Sequence, residues 1–369
     1  MMATAFADLP SELLIYILSE ACSDSGLTGC SLNLVSRGIR DLCLYTGVDI
    51  QCIALYGYHK MARFTEMLMT RDETARKVKH LFISDLPSQD DVADNLASML
   101  SMGNHESPSG RGTLESLLQI IPPHYLQTLT IHIPRGPLST PTHSIFSRQF
   151  HSLTELSLHA GLTRQFFEDF LPIPSLERLN IATYTVLPDD IGAAVTRIAP
   201  NLTHLRISLR TSRSYFSNIR DVIRNYVQDG SPPTPVLSKP RLTPLTSANS
   251  TGSSSSSSFT GMLPASLRTF IVTFNPIHKT GGRGLASRNM QYYEDIAWVK
   301  RSIPSIGSGS ATWYGDGKQL IISDPPENAA EVEDSILTPS LKVMYEEWEE
   351  RIFDGEGCWK ALVTRHLVK

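Results

Sequence analysis

The sequence predicts an α/β chain: a small helical unit at the amino end, then stacked parallel strands with helices outside them, closed by a C-terminal helix. Two observations predict this. Apolar residues fall at helical spacing through the first 70 positions. Beyond residue 75, short β runs with apolar side chains at positions 1, 4 and 6 start at steps of 27, 23 and 26 residues. Composition agrees. With 41% apolar and 19% charged residues in 369, the chain is globular and long enough for about two domains. A net charge of −4, from 33 basic and 37 acidic side chains, gives no bulk attraction to nucleic acid or anionic lipid.

The helices come first. Leu13, Leu14, Ile17, Leu18 and Ala21 follow Leu9-Pro10 on one helical face. Pro10 suits a first-turn position, where its missing N–H has no helical partner to lose, and Glu12 complements the positive end of the helix dipole. Ser23 to Gly29 reads as a turn. A second helix carries Leu32, Leu34, Val35, Ile39, Leu42 and Cys43, and a third carries Met61, Phe64, Met67 and Leu68. The division expected is a helical unit over 1–50, a connecting helix over 51–75, a repeat domain over 76–323 and a helical cap over 324–369.

Six β runs follow: Val78-Leu81-Ile83, Leu126-Leu129-Ile131, Leu153-Leu156-Leu158, Leu176-Leu179-Ile181, Leu202-Leu205-Ile207 and Leu267-Phe270-Val272. L-x-x-L-x-L at 20–29-residue spacing is a leucine-rich-repeat signature. One strand–helix unit cannot cover its own apolar edge, so units stack and bury their Leu and Ile residues in a continuous core. Helix-like stretches at 163–170, 188–198 and 217–227 separate the runs, with Asp189-Asp190 capping one of them. The position for the repeat asparagine holds Pro134, Gly161, Tyr184 and Arg210, which predicts an irregular solenoid. Ser231 to Thr260, with 21 of 30 residues Ser, Pro, Thr or Gly, reads as a disordered insertion. Shorter loops are expected at Ser101 to Thr113 and Pro134 to His143. A helix over Ser287 to Arg301, a turn at Gly315-Asp316-Gly317, a last strand over Gln319 to Ser323 and a helix over Leu341 to Phe353 are expected to close the far end.

Enzyme signals are lacking. The chain carries no G-x-S-x-G elbow, H-E-x-x-H pair or Walker sequence, and Gly281 to Gly284 lacks a phosphate-loop lysine. The five cysteines form no C-x-x-C pair and read as reduced thiols. No cofactor and no metal are expected. The N-terminus carries Asp8 and no base before the first apolar helix, unlike a secretory signal, and no run reaches the ~18 apolar residues of a membrane span. A cytoplasmic or nuclear location is expected.

Alternation along the strands turns one row of side chains away from the buried pair. That row holds Thr128, Thr130 and His132; Glu155, Ser157 and His159; Arg178, Asn180 and Ala182; and His204, Arg206 and Ser208. Of these, His132, Glu155, His159, Arg178, Asn180, His204 and Arg206 are the candidates for contact with a protein partner; the alternative is a solvated strand face. The acids Glu346, Glu347, Glu349 and Glu350 around Trp348 read as a solvated helix face.

The opening segment, Leu9-Pro10-Ser11-Glu12-Leu13-Leu14, then Ile17-Leu18, then Leu34-Val35-Ser36-Arg37, resembles an F-box. Together with the repeats, the chain resembles F-box proteins with leucine-rich repeats. The resemblance implies a three-helix box followed by a solenoid with parallel strands on its concave face. It implies docking onto a Skp-type adaptor and through it a cullin, with a protein substrate held by the repeats and no catalytic residue in the chain. By motif, Leu9, Pro10, Leu13, Leu14, Ile17, Leu18, Val35 and Arg37 are the adaptor-side candidates, although some of these must pack the box itself. The alternative is a leucine-rich-repeat interaction scaffold without ligase attachment.

Overall fold

The computed structural model describes residues 9–86, 110–137, 146, 148–183, 185–210, 213–228, 262–275, 297–298, 311–315, 317–323, 341–353, 355 and 357–359. The expected insertion at 231–260, the Gly281–Gly284 loop and most of the expected 287–301 helix lie outside these residues.

The described residues open with three helices, α1 (Ser11–Ala21), α2 (Leu27–Val35) and α3 (Arg37–Thr46). The periodicity suggested a single helix from Leu32 to Cys43, but the chain breaks at Ser36. This residue is extended (φ −158°, ψ 161°), and its hydroxyl accepts the Ile39 N–H at 3.2 Å, capping α3. Asp24 anchors the start of α2, accepting from the Gly26 and Thr28 amides and the Thr28 hydroxyl. A small core of Leu18, Cys43 and Val48, flanked by Ile15, Leu32, Ile39 and Leu42, holds the unit together.

The rest is a nine-stranded sheet. Its strands are β1 (Cys52–Tyr56), β2 (His80–Ser84), β3 (Thr128–Pro137), β4 (Glu155–Gly161), β5 (Arg178–Thr183), β6 (His204–Arg210), β7 (Thr269–Asn275), β8 (Ala311–Gly315) and β9 (Lys318–Ser323). They lie in the order β1-β2-β3-β4-β5-β6-β7-β9-β8, every pair parallel except the β8–β9 hairpin. Gly317, at φ +73°, supplies the left-handed residue in that hairpin's turn. Helices α4 (Tyr58–Met69), α5 (Gly110–Ile120), α6 (Arg164–Asp169), α7 (Ile191–Ile198) and α8 (Arg213–Gln228) connect successive strands. α7 begins where Asp189-Asp190 predicts, but Asp190 makes no side-chain capping bond. α5 begins at Gly110, inside the stretch expected to be loop.

The sheet therefore starts earlier than expected. Residues 51–75, where the sequence predicts a connecting helix, instead hold edge strand β1 and its crossover helix α4. The signal was present: Ile50, Ile53 and Leu55 occupy positions 1, 4 and 6, and Ile50 precedes Val78 by one repeat.

Register explains the period. Leu81, Leu129, Leu156, Leu179, Leu205, Phe270 and Leu320 lie side by side across the sheet, and so do Ile83, Ile131, Leu158, Ile181, Ile207, Val272 and Ile322. These rows join one continuous core with Met61, Leu117, Phe167, Val195 and Ile223 from the helices. Burying each such side chain contributes about 1.5–3 kcal/mol. Backbone groups at the strand starts are satisfied without an asparagine ladder. The carbonyl of Gln51 accepts the amides of both Lys79 and His80, and Lys79, Gln127, Thr154, Glu177 and Thr203 each accept two amides from the next repeat in the same way.

One more helix, α9 (Leu341–Ile352), is followed by a single turn at Gly357–Trp359. It does not close the last repeat, as the sequence suggested. It lies across the other face of the sheet, with Met344 and Trp348 buried against Phe82. Among the described residues, no helix is long and apolar enough to cross a membrane.

Candidate functional site

Two surfaces bring the sequence candidates together. The first is on the helical unit. Of 13 exposed large apolar side chains among the described residues, eight lie between Leu13 and Tyr45: Leu13, Tyr16, Ile17, Leu27, Leu34, Val35, Leu44 and Tyr45. Leu13, Tyr16 and Ile17 are spaced three and four apart, so they share one face of α1. Among the motif residues, Leu13 (52% exposed), Ile17 and Val35 (64%) stand out, Pro10 and Arg37 are exposed, and Leu9 and Leu14 are half-buried. Leu18 is different: at 2% exposure it belongs to the unit's core. Leu34, which lies in the F-box-like segment but is not among the adaptor-side candidates, is the most exposed of the group at 81%.

The unit is fixed to the sheet by a buried ion pair. Both Arg71 terminal nitrogens reach the Asp49 carboxylate, at 2.7 and 2.6 Å, with both side chains almost wholly enclosed. The Asn33 amide also donates to Asp49 at 2.9 Å, tying α2 to the same carboxylate. Gly29 lets α2 approach closely: a Cβ there would stand 2.0 Å from the Asp49 carbonyl oxygen. Ser19 and Gln51 bond side chain to side chain, bringing α1 to the same joint. The thiols nearby are inert, because burial pushes Cys22 and Cys52 up to about 12 and Cys43 up to about 11.

The second surface is the sheet face away from α4–α8. It is apolar at both edges, with Ala54, Tyr56 and Phe82 at one and Ile271 and Ile321 at the other, and polar between them. The polar part collects the seven partner-side candidates on neighbouring strands, so the sequence grouped them correctly. They are not open, however. His132, Glu155, His159 and Asn180 are buried, and Arg178, His204 and Arg206 are half-buried.

The cover is the C-terminal segment. Tyr345 and Trp348 meet Phe82 with ring centroids 5.8 and 5.6 Å apart, and Tyr345 also meets Tyr56. Arg351 Nε donates to Glu155 Oε2 at 2.7 Å, and Trp359 Nε1 donates to Glu155 Oε1 at 3.0 Å. Arg178 lies 3.5 Å from the same carboxylate. Trp359 continues onto Ile271 and Ile321 and meets the His204 ring edge-on at 5.7 Å. Glu347 faces Arg206 at 3.6 Å. The acidic run of α9 is therefore not a uniformly solvated face; only Glu346 of its four acids is exposed.

Two buried histidines lie on the same face. Ser84 Oγ lies 2.9 Å from His132 Nδ1, and Asn180 Nδ2 lies 3.3 Å from His159 Nε2. Burial lowers His132 to about 4. Burial, followed by the neighbouring His132 and Arg206, holds His159 well below the usual imidazole range. Both are neutral at physiological pH. Among the described residues no group of three or more His, Cys, Asp or Glu could hold a metal.

Neither a scan against protein-family models nor a search of curated proteins finds a match for this chain.

Proposed function

We propose that the chain is a substrate receptor of the F-box type: its three-helix unit docks on a Skp-type adaptor, and its repeat sheet holds a protein substrate for a cullin-based ubiquitin ligase. The observation that carries this reading is the concentration of exposed apolar side chains on α1–α3. Such a surface marks a partner site, and the residues forming it include Leu13, Ile17, Leu34 and Val35 of the segments that resemble the F-box. The internal logic of the segment also fits. Leu18 and Ser36 are spent on the unit's own core and capping, while Leu13, Ile17 and Val35 face outward. The rigid joint through Asp49 and Arg71 suits a positioning role, since a substrate held at fixed distance presents its lysines at high effective concentration.

The test is a pull-down of a Skp-type adaptor by the full chain and by a variant carrying Leu13→Asp and Ile17→Asp. These residues are exposed, so the variant keeps its fold. Recovery by the unsubstituted chain and loss in the variant is expected. Equal recovery, or none from either, removes the receptor reading and leaves an interaction scaffold without ligase attachment.

A further inference from the structure

The C-terminal segment is held to the sheet at its two ends. At one end Met344, Tyr345 and Trp348 pack on Phe82; at the other, Arg351 and Trp359 converge on Glu155. On the same sheet face, His132 Nε2 and His159 Nδ1 are buried without a hydrogen-bond partner, and so is Trp348 Nε1 on the segment itself. Buried polar atoms are normally satisfied, so unmatched atoms on this face and on the helix laid across it indicate hydrogen-bonding capacity that this occupant does not use. The specific contacts are with Glu155, which takes a guanidinium and an indole N–H on its two oxygens. Nothing in strand stacking requires a carboxylate there, since the aligned positions on the neighbouring strands hold Thr128 and Arg178.

We propose that this sheet face is a binding site for a partner-protein segment presenting an arginine and a tryptophan to Glu155, and that residues Leu341–Trp359 are its resident, displaceable occupant. The partner segment therefore shares the chemistry of the resident one: an aromatic pair for Phe82 and Tyr56, and a basic–indole pair for Glu155. It gains over the resident if it also offers donors or acceptors to His132 and His159. The proposal deepens the substrate-holding half of the reading above and rests on it, but not on adaptor docking, so the pull-down and the experiment below fail separately.

The probe is a fluorescently labelled peptide of residues 341–359, added to the full chain. Against the unsubstituted chain its apparent affinity is reduced by the fraction of sites already occupied. Against a full chain carrying Arg351→Ala and Trp359→Ala, binding about tenfold tighter is expected. Adding Glu155→Gln abolishes the gain, and a peptide with the same two alanines does not bind. Equal binding to both chains, or binding to neither, overturns the proposal. Amide hydrogen exchange on the unsubstituted chain keeps the test independent of variant folding. α9 amides are expected to exchange on the order of 100-fold faster than those of β4 and β5, through local opening. Exchange as slow as the strands would mean that α9 leaves only with global unfolding, which also overturns it.

Discussion

Trp359 donates its indole N–H to Glu155 across 204 positions of sequence, and Arg351 reaches the other oxygen of the same carboxylate. That one acid joins the fourth strand of the sheet to the end of the chain. Glu155→Ala should lower stability by about 1–3 kcal/mol, because two donors and the half-buried Arg178 lose their acceptor. Urea unfolding followed by circular dichroism measures it, and a midpoint unchanged from the parent would show that the tail adds nothing there.

The joint between the helical unit and the sheet should be more sensitive. Asp49→Ala leaves the Arg71 guanidinium buried and unpaired, at a cost of about 3–5 kcal/mol. Combining it with Arg71→Met should recover part of that loss, because neither charge is then stranded. A double variant that falls by the sum of the two single losses would contradict the coupling.

Close approach at Gly29 gives a steric prediction. Gly29→Ala puts a methyl 2.0 Å from the Asp49 carbonyl oxygen, so backbone must move at about 1–3 kcal/mol. Gly38→Ala, where a Cβ meets nothing within 4 Å, is the control and should be neutral or slightly stabilising. Equal effects from the two would show that α2 is not pressed against the joint.

The exposed and buried leucines of α1 should separate cleanly. Leu18→Ala should cost about 2–5 kcal/mol, whereas Leu13→Asp should stay within about 0.5 kcal/mol of the parent. Thermal unfolding of the two variants side by side decides this, and a large loss for Leu13→Asp would return that residue to the core.

Acid sensitivity should come partly from the buried histidines. His132 ionises near 4 in the fold and near its ordinary 6.5 when unfolded. The unfolded chain therefore takes up the proton first, and stability is complete above about 6.5 and declines as pH falls towards 4. The upper bound for this histidine is about 3–4 kcal/mol, from about 1.4 kcal/mol for each unit between 6.5 and 4. His132→Gln should flatten the change in urea midpoint between pH 7 and pH 4.5. An unaltered slope would show that this imidazole takes up its proton alike in the folded and unfolded chains.

Much of the repeat architecture was legible because it is periodic. The Leu and Ile of positions 1, 4 and 6 predicted six of the strands, and the structure stacks them in one register. β1 escaped because Ile50-x-x-Ile53-x-Leu55 abuts the helical unit, where apolar residues also fall at helical spacing. The break at Ser36 escaped because apolar spacing continues through it, and only the capping bond to Ile39 separates α2 from α3.

What the sequence determined by itself was which side chains share a face. Alternation in a strand is a local rule, so Glu155, Asn180 and Arg206 could be placed on one surface without coordinates. What covers that surface was decided only by the tertiary structure. The helix around Trp348 carries apolar and acidic residues that could close an end or cross a face. The choice depends on Phe82 and Glu155, which are distant in sequence and come within reach only after the strands have stacked.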